Sequence, residues 1–322
     1  MDWHTATLEE LSVLQKCALN NNFFANNYSA VNTILYSKKY KALIAIEDGW
    51  FFEKYCDEEK CIFSFPHNLN GDKSNIKAAI QDLAKSAKQE NNDNTCVFKN
   101  ITAEEKEILK SFFEVVKVEA TPAYSDYIYL TENLSLLPGA KYSKKRNHLN
   151  QFKKKHTDFK FELLDEHNIK QAYEIEEKWL LENTQENQSE KTSDTQNNKT
   201  NDSQDLQAEE QIIKNALDNF DYFSKHADMK GGILFVKDEP VAFCLSSRLS
   251  DSVTDIHFEK CLSPFAKDGG YAVINNEFAK TVSTKYINRE EDLGIEGLRK
   301  AKRSYYPEIF LEKFDVEIKV NQ

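Results

Sequence analysis

The sequence predicts a mixed α+β protein of two domains, each a mostly antiparallel sheet flanked by helices. Three observations carry that expectation. At 322 residues the chain exceeds the size at which one hydrophobic core usually keeps growing. Hydrophobic residues at 40%, with 21 Phe and 14 Tyr, supply the material for real cores. Only 9 Gly and 6 Pro argue against an all-β chain built on many tight turns.

The elements follow in order. Thr7 caps a helix carrying Leu8, Leu11, Leu14 and Cys17, with Glu9 and Glu10 in its electropositive first turn. A second amphipathic stretch covers 26–37. KALIAIEDGWFFEKY reads as a hairpin turning at Asp48-Gly49, and 60–65 as a third strand. Helical spacing returns at 73–89 through Ile76, Ala79, Ile80 and Leu83. CVFK is a short strand, and Thr102 with Glu105 is a capping box opening a helix to about Phe113. VVKVEA and SDYIYL close the first half as strands.

The second half repeats the theme, which sets the expected domains at 1–135 and 136–322. A basic helix at 142–156 precedes the strand FKFELL and a helix at 167–182. Residues 183–207 are almost devoid of apolar side chains and read as a low-complexity, disordered insertion. Helix resumes at 208–225. Three strands (GGILFVK, PVAFCLSSRL, SVTDIHFEKC) then lead to a helix at 269–284, the short strand YIN, the loop REEDLG, a basic helix and a terminal strand LEKFDVEI. Helices alternating with hairpins describe a mixed sheet rather than a doubly wound repeat.

Composition also narrows the function. The N-terminus lacks a basic region followed by an apolar one, so it does not read as a signal peptide, and no apolar run is long enough to span a membrane; a cytoplasmic location is expected. The six cysteines form no CxxC pair and no Cys/His metal spacing, and read as buried reduced thiols. A net charge of −11 argues against general nucleic-acid binding, yet the charge is segregated. Acids crowd 183–210, whereas Lys141, Lys144, Lys145, Arg146, Lys153, Lys154 and Lys155 share one short acid-free stretch.

Three constellations carry candidate chemistry. The basic helix presents Lys144, Arg146 and Asn147 beside Leu149 and Phe152, an arrangement suited to a phosphate-bearing partner or to a merely solvated face. In TDIHFEK, strand alternation puts Asp255, His257 and Glu259 on one face, where His257 and Glu259 can relay a proton. In INREEDLGIEGLRKAKR, a strand end meets a helix start, the usual ligand position in open mixed sheets. There Glu290 and Asp292 suit an ammonium group, Gly294 permits close approach, and Arg299 and Lys302 suit phosphate. Gly269-Gly270 opens a helix but lacks the basic and glycine spacing of a coenzyme-A loop, and no GxSxG elbow is present.

The runs DYIYL, KYSKKRNHLNQFKKKH, GGILFVKDEPVAFCLSSRL, IHFEK, GGYAVINNEFAK and INREEDLGIEGLRKAK occur in that order between about Asp126 and Pro307. Together they resemble the C-terminal domain of phosphatidylglycerol lysyltransferases, a bacterial family, and its stand-alone relatives. The resemblance implies two tandem acetyltransferase-like domains. It also implies aminoacyl transfer from aminoacyl-tRNA as donor, with no metal and no tightly bound cofactor. Carried over by motif, its site residues are Lys144, Arg146, Asn147, His257, Glu259, Asn275, Asn276, Asn288, Arg289, Asp292, Gly294 and Arg299.

The mechanism so implied is acyl transfer without a covalent intermediate. Asp292 and Glu290 would hold the ammonium, Lys144, Arg146, Arg299 and Lys302 the phosphates of a tRNA acceptor end, and His257 with Glu259 the acceptor's proton. A lipid headgroup is one acceptor the family suggests, although the family's membrane-embedded portion has no counterpart in this sequence. Two other readings stand beside it: an acyl-CoA-dependent N-acyltransferase, and a ligand-binding relative without catalysis.

Overall fold

A computed structural model of the chain describes residues 1–57, 60–189 and 196–320. The chain forms two mixed sheets with flanking helices, the architecture expected from the sequence. The first sheet collects β1 (Ala42–Glu47), β2 (Trp50–Cys56), β3 (Cys61–Phe63), β4 (His67–Asn68), β5 (Thr95–Thr102) and β6 (Val115–Ala120). The second collects β7 (Asp126–Leu130), β8 (Phe159–Leu163), β9 (Lys230–Val236), β10 (Glu239–Arg248), β11 (Val253–Cys261), β12 (Tyr286–Asn288) and β13 (Ile309–Leu311). The last strand, β14 (Lys313–Lys319), returns to the first sheet. The orders are β1-β2-β3-β5-β14-β6, with β4 on β2, and β13-β7-β12-β11-β10-β9-β8.

Two compact units result, and they are not consecutive in sequence. One comprises Met1–Tyr129, Arg248–Asp255 and Asn288–Gln322; the other comprises Leu130–Ser247 and Ile256–Ile287. The first crossing, after Tyr129, falls near the boundary expected at 135. Unlike that expectation, the chain's last stretch belongs with its first, because β14 pairs antiparallel with both β5 and β6.

In the first unit, the β1–β2 hairpin turns at Asp48 and Gly49, both at positive φ (49° and 79°), as a tight two-residue connection requires. Helix Ile76–Asn91 lays Ile76, Ala79, Ile80, Leu83, Ala84 and Ala87 onto Phe52, Phe63, Phe98, Val316 and Ile318. The capping box forms: Thr102 Oγ1 accepts from Glu105 N, and Glu105 Oε2 accepts from Thr102 N at 2.7 Å. Cys56 and Cys61 do not follow the reduced-thiol expectation. They are partners across β2–β3 with Cα atoms 4.1 Å apart, and they form a disulfide. The other four cysteines are buried and free.

In the second unit, helix Gly270–Ala279 packs against helix Ser143–Lys155, helix Thr131–Leu136 and β9. Gly269 and Gly270 are there for closeness. A Cβ at Gly269 would lie 2.8 Å from His148 O, and one at Gly270 would lie 2.5 Å from Cys261 Sγ. Part of the expected disordered insertion, residues 190–195, lies outside the described residues. On either side the backbone is helical, in Ile169–Ser189 and Gln196–Asp218.

Candidate functional site

In the first unit the loop after β12 gathers a dense polar network. Asn288 is fully buried; its Nδ2 donates to Phe24 O (2.8 Å) and Asp126 Oδ2 (2.9 Å), and its Oδ1 accepts from Glu290 N (2.7 Å). That last bond holds Glu290 at φ 57°, a conformation a non-glycine residue adopts only when its surroundings impose it. The bent loop then presents two carboxylates to two different asparagines. Glu290 Oε1 accepts from Asn32 Nδ2 at 2.9 Å, and Glu291 Oε2 accepts from Asn26 Nδ2 at 2.7 Å.

Beneath them lies a buried ion pair. Lys313 Nζ reaches Asp126 Oδ1 at 2.6 Å and Asn26 Oδ1 at 2.5 Å, and Asn26 N donates to Asp126 Oδ2 at 2.8 Å. Asp255, fully buried, belongs to the same electrostatic group. Burial first, then Glu290, Asp126 and Glu291, push its carboxyl well above the usual range, against the pull of Lys313. Burial and Glu290 likewise push Glu291 up to about 7. Asp255 and Glu291 therefore favour their protonated forms, because burial beside other carboxylates makes ionising them costly.

Asp292 behaves differently. Its Oδ2 accepts from Tyr127 Oη (2.7 Å) and Arg299 Nε (2.9 Å), and its Oδ1 from Gly294 N (2.8 Å) and Arg299 Nη2 (3.1 Å). Burial raises its pKa, but those donors, Arg299 foremost, outweigh it and hold the carboxyl below the ordinary range. Lys302 donates to Arg289 O, and burial followed by the Arg289 charge lowers its pKa. The Arg289 guanidinium lies over the rings of Tyr305 (5.1 Å) and Tyr129 (6.0 Å). Asp292 and Arg299 thus bind each other, and the ammonium of Lys302 is spent on the loop's own backbone.

The second unit holds the other expected residues. Lys144 and Asn147 are exposed on helix Ser143–Lys155. Arg146 Nη1 instead turns back to Leu137 O and Gly139 O, and Asn276 Nδ2 donates to Leu134 O and Ser135 O. Both side chains fasten the segment that leads into the basic helix. Lys153 and Lys155 pair with Glu277 and Asp268. Asn275 is buried, and its Oδ1 finds no hydrogen-bond partner among the described residues. His257 Nε2 lies 2.7 Å from Ser247 Oγ, both groups being buried, while Glu259 is half-buried.

Asp126, Asn26, Lys313, Glu291 and Ser247 were not singled out from the sequence. Asp126 opens the quoted run DYIYL, and a charged residue starting an otherwise apolar strand was the signal available for it. Nothing local distinguishes Asn26 or Lys313, whose contacts span 100 to 287 positions.

Residues 22–317 match the family described as phosphatidylglycerol lysyltransferase, C-terminal. The chain belongs to that family. Among solved structures, the chain is similar to a conserved protein of unknown function from Bacteroides thetaiotaomicron. That match has 28% identity and a TM-score of 0.84, and it covers 99% of this chain and 100% of the other. It shares its fold with L-PGS from Bacillus licheniformis at 13% identity and a TM-score of 0.62, covering 98% and 92% of the two chains. An uncharacterised protein of Mycoplasmoides gallisepticum is 25% identical over 272 residues, 83% of this chain and 78% of that protein. Among the described residues of this family member, no helix is long and apolar enough to cross a membrane.

Proposed function

We propose that the chain is an aminoacyltransferase that moves an aminoacyl group from an aminoacyl-tRNA to an acceptor. The observation that carries the proposal is the gathering of Asp126, Asp255, Glu290 and Glu291 about the buried Lys313 ammonium. A cluster so rich in carboxyl groups suits the cationic α-ammonium of an aminoacyl ester. Family membership supports the same reaction class.

The donor ester is already activated, so the protein's work is to bind, orient and manage protons. Glu290 and Glu291 hold the ammonium. Asp292, locked by Arg299, Tyr127 and Gly294 N, fixes the loop that carries them. On the second unit, Lys144 and Lys154 are exposed cations suited to phosphates of the acceptor end. Within the second unit, His257, held by Ser247, is a group able to carry a proton. The resident glycine pair serves packing, which gives no support to acyl-CoA as the donor.

Incubation with a charged tRNA pool and cell extract, followed by mass spectrometry, is expected to yield a new aminoacylated product, absent with Glu290→Gln/Glu291→Gln. Product formation from acetyl-CoA and none from charged tRNA would overturn the proposal. Lys144→Glu with Lys154→Glu should lower the salt dependence of tRNA binding by about two phosphate contacts.

A further inference from the structure

Cys56 and Cys61 stand apart from the chain's other cysteines. Cys17, Cys96, Cys244 and Cys261 are buried, and burial pushes the thiols of Cys17, Cys96 and Cys261 up, which makes them poor ligands. Cys56 and Cys61 are only half-buried and face each other across β2–β3. A third group converges on them. Asn91 grips Cys61 on both sides, its Oδ1 accepting from Cys61 N (2.7 Å) and its Nδ2 donating to Cys61 O (2.8 Å). That clamp fixes the end of helix Ile76–Asn91 against β3, so a carboxylate oxygen of Glu90 lies within 4.8 Å of both sulfurs. Lys54, two residues before Cys56, sets its Nζ 2.5 Å from Glu90 Oε2 and adds positive charge that favours thiolates.

We propose that Cys56, Cys61 and Glu90 form a redox-gated site for a thiophilic divalent cation such as Zn²⁺. In the disulfide state the sulfurs are bonded to each other and cannot serve as thiolate ligands. When a dithiol reductant reduces the pair, the S–S bond breaks, both sulfurs leave as thiols, and the reductant becomes a disulfide. Metal binding then releases the two thiol protons to solvent, and the ion takes two thiolates, the carboxylate and water. Two soft ligands and one hard one on an open site match Zn²⁺ rather than Mg²⁺ or Ca²⁺. Exchange with a disulfide oxidant re-forms the cross-link and expels the ion.

The test is a titration of the full chain with Cd²⁺, which reports sulfur ligation through thiolate-to-metal charge-transfer absorbance. Reduced protein is expected to bind one equivalent with that signature and to lose it to Zn²⁺. Oxidised protein and the Cys56→Ser/Cys61→Ser variant are expected to show none, and Glu90→Gln to bind on the order of tenfold more weakly. No band from reduced wild type, or an undiminished band from the double variant, would overturn the proposal. If the double variant fails to fold by circular dichroism, Zn²⁺ competition with a chromophoric chelator on reduced against oxidised wild type decides it, equal affinity counting against the site.

Discussion

Asp292 and its neighbours Glu290 and Glu291 share a short acidic run, yet the structure gives them separate tasks. With four donors on its carboxylate, Asp292 is a structural anchor. Asp292→Ala leaves Tyr127 Oη and Gly294 N without their acceptor, and it should cost about 2–4 kcal/mol in chemical denaturation. Glu291, pushed up to about 7, keeps proton capacity in reserve beside Glu290. Binding of an amino-acid amide, whose ammonium favours ionised carboxylates, should therefore release protons. Calorimetry near neutral pH in buffers of different ionisation enthalpy will measure the release, and Glu291→Gln should reduce it. The sequence made Asn288, Glu290 and Asp292 legible as a group, since polar residues between a strand end and a helix start mark a loop that can reach a ligand. It could not divide their labour, because the dividing partners (Asn26, Asn32, Tyr127) lie 165 to 265 positions away.

Among the elements, those set by local chemistry were the readable ones. The Asp48-Gly49 hairpin, the Thr102–Glu105 capping box and the basic helix formed as their residues dictate. Thr102→Ala should destabilise by about 1 kcal/mol, read as a lowered denaturation midpoint with an unchanged slope. Where sequence reasoning fell short, the cause was contact between distant segments. Gly269-Gly270 was legible only as a helix start without coenzyme-A loop spacing; its meaning came from His148 and Cys261, which crowd it. Gly270→Ala should therefore cost about 1–3 kcal/mol by overpacking the start of helix Gly270–Ala279. Strand β14 looked like the natural end of a C-terminal domain, since its pairing with β5 and β6 has no local signature.

Taken over the whole chain, the titrating groups give stability a definite pH profile. Burial first of all holds Glu53, Glu176 and Glu291 up at about 7. Between the ordinary carboxylate range and about 7, the folded chain binds protons at these sites that the unfolded chain does not. Stability from them is therefore full below the ordinary carboxylate range and is lost as pH rises from there to about 7. Asp292 and Asp268 are held low by their partners and act oppositely, contributing above the ordinary range and failing as pH falls below it. Thermal melts should show a maximum near about pH 4–5, with a decline up to about pH 7 that flattens in Glu53→Gln/Glu176→Gln/Glu291→Gln. A maximum at or above pH 8 would contradict this assignment.

The central place of β14 bears on how the chain is made. Its neighbours β5 and β6 are complete by Ala120, but the strand that joins them ends at Lys319. At ribosomal speeds of about 5–20 residues per second, roughly 10–40 s separate the two events. During that interval the nascent first sheet carries two open edges where β14 will insert, exposed to any other strand in reach. A chaperone that shields β5 and β6 until translation nears its end would raise the yield of folded protein more than one acting after release.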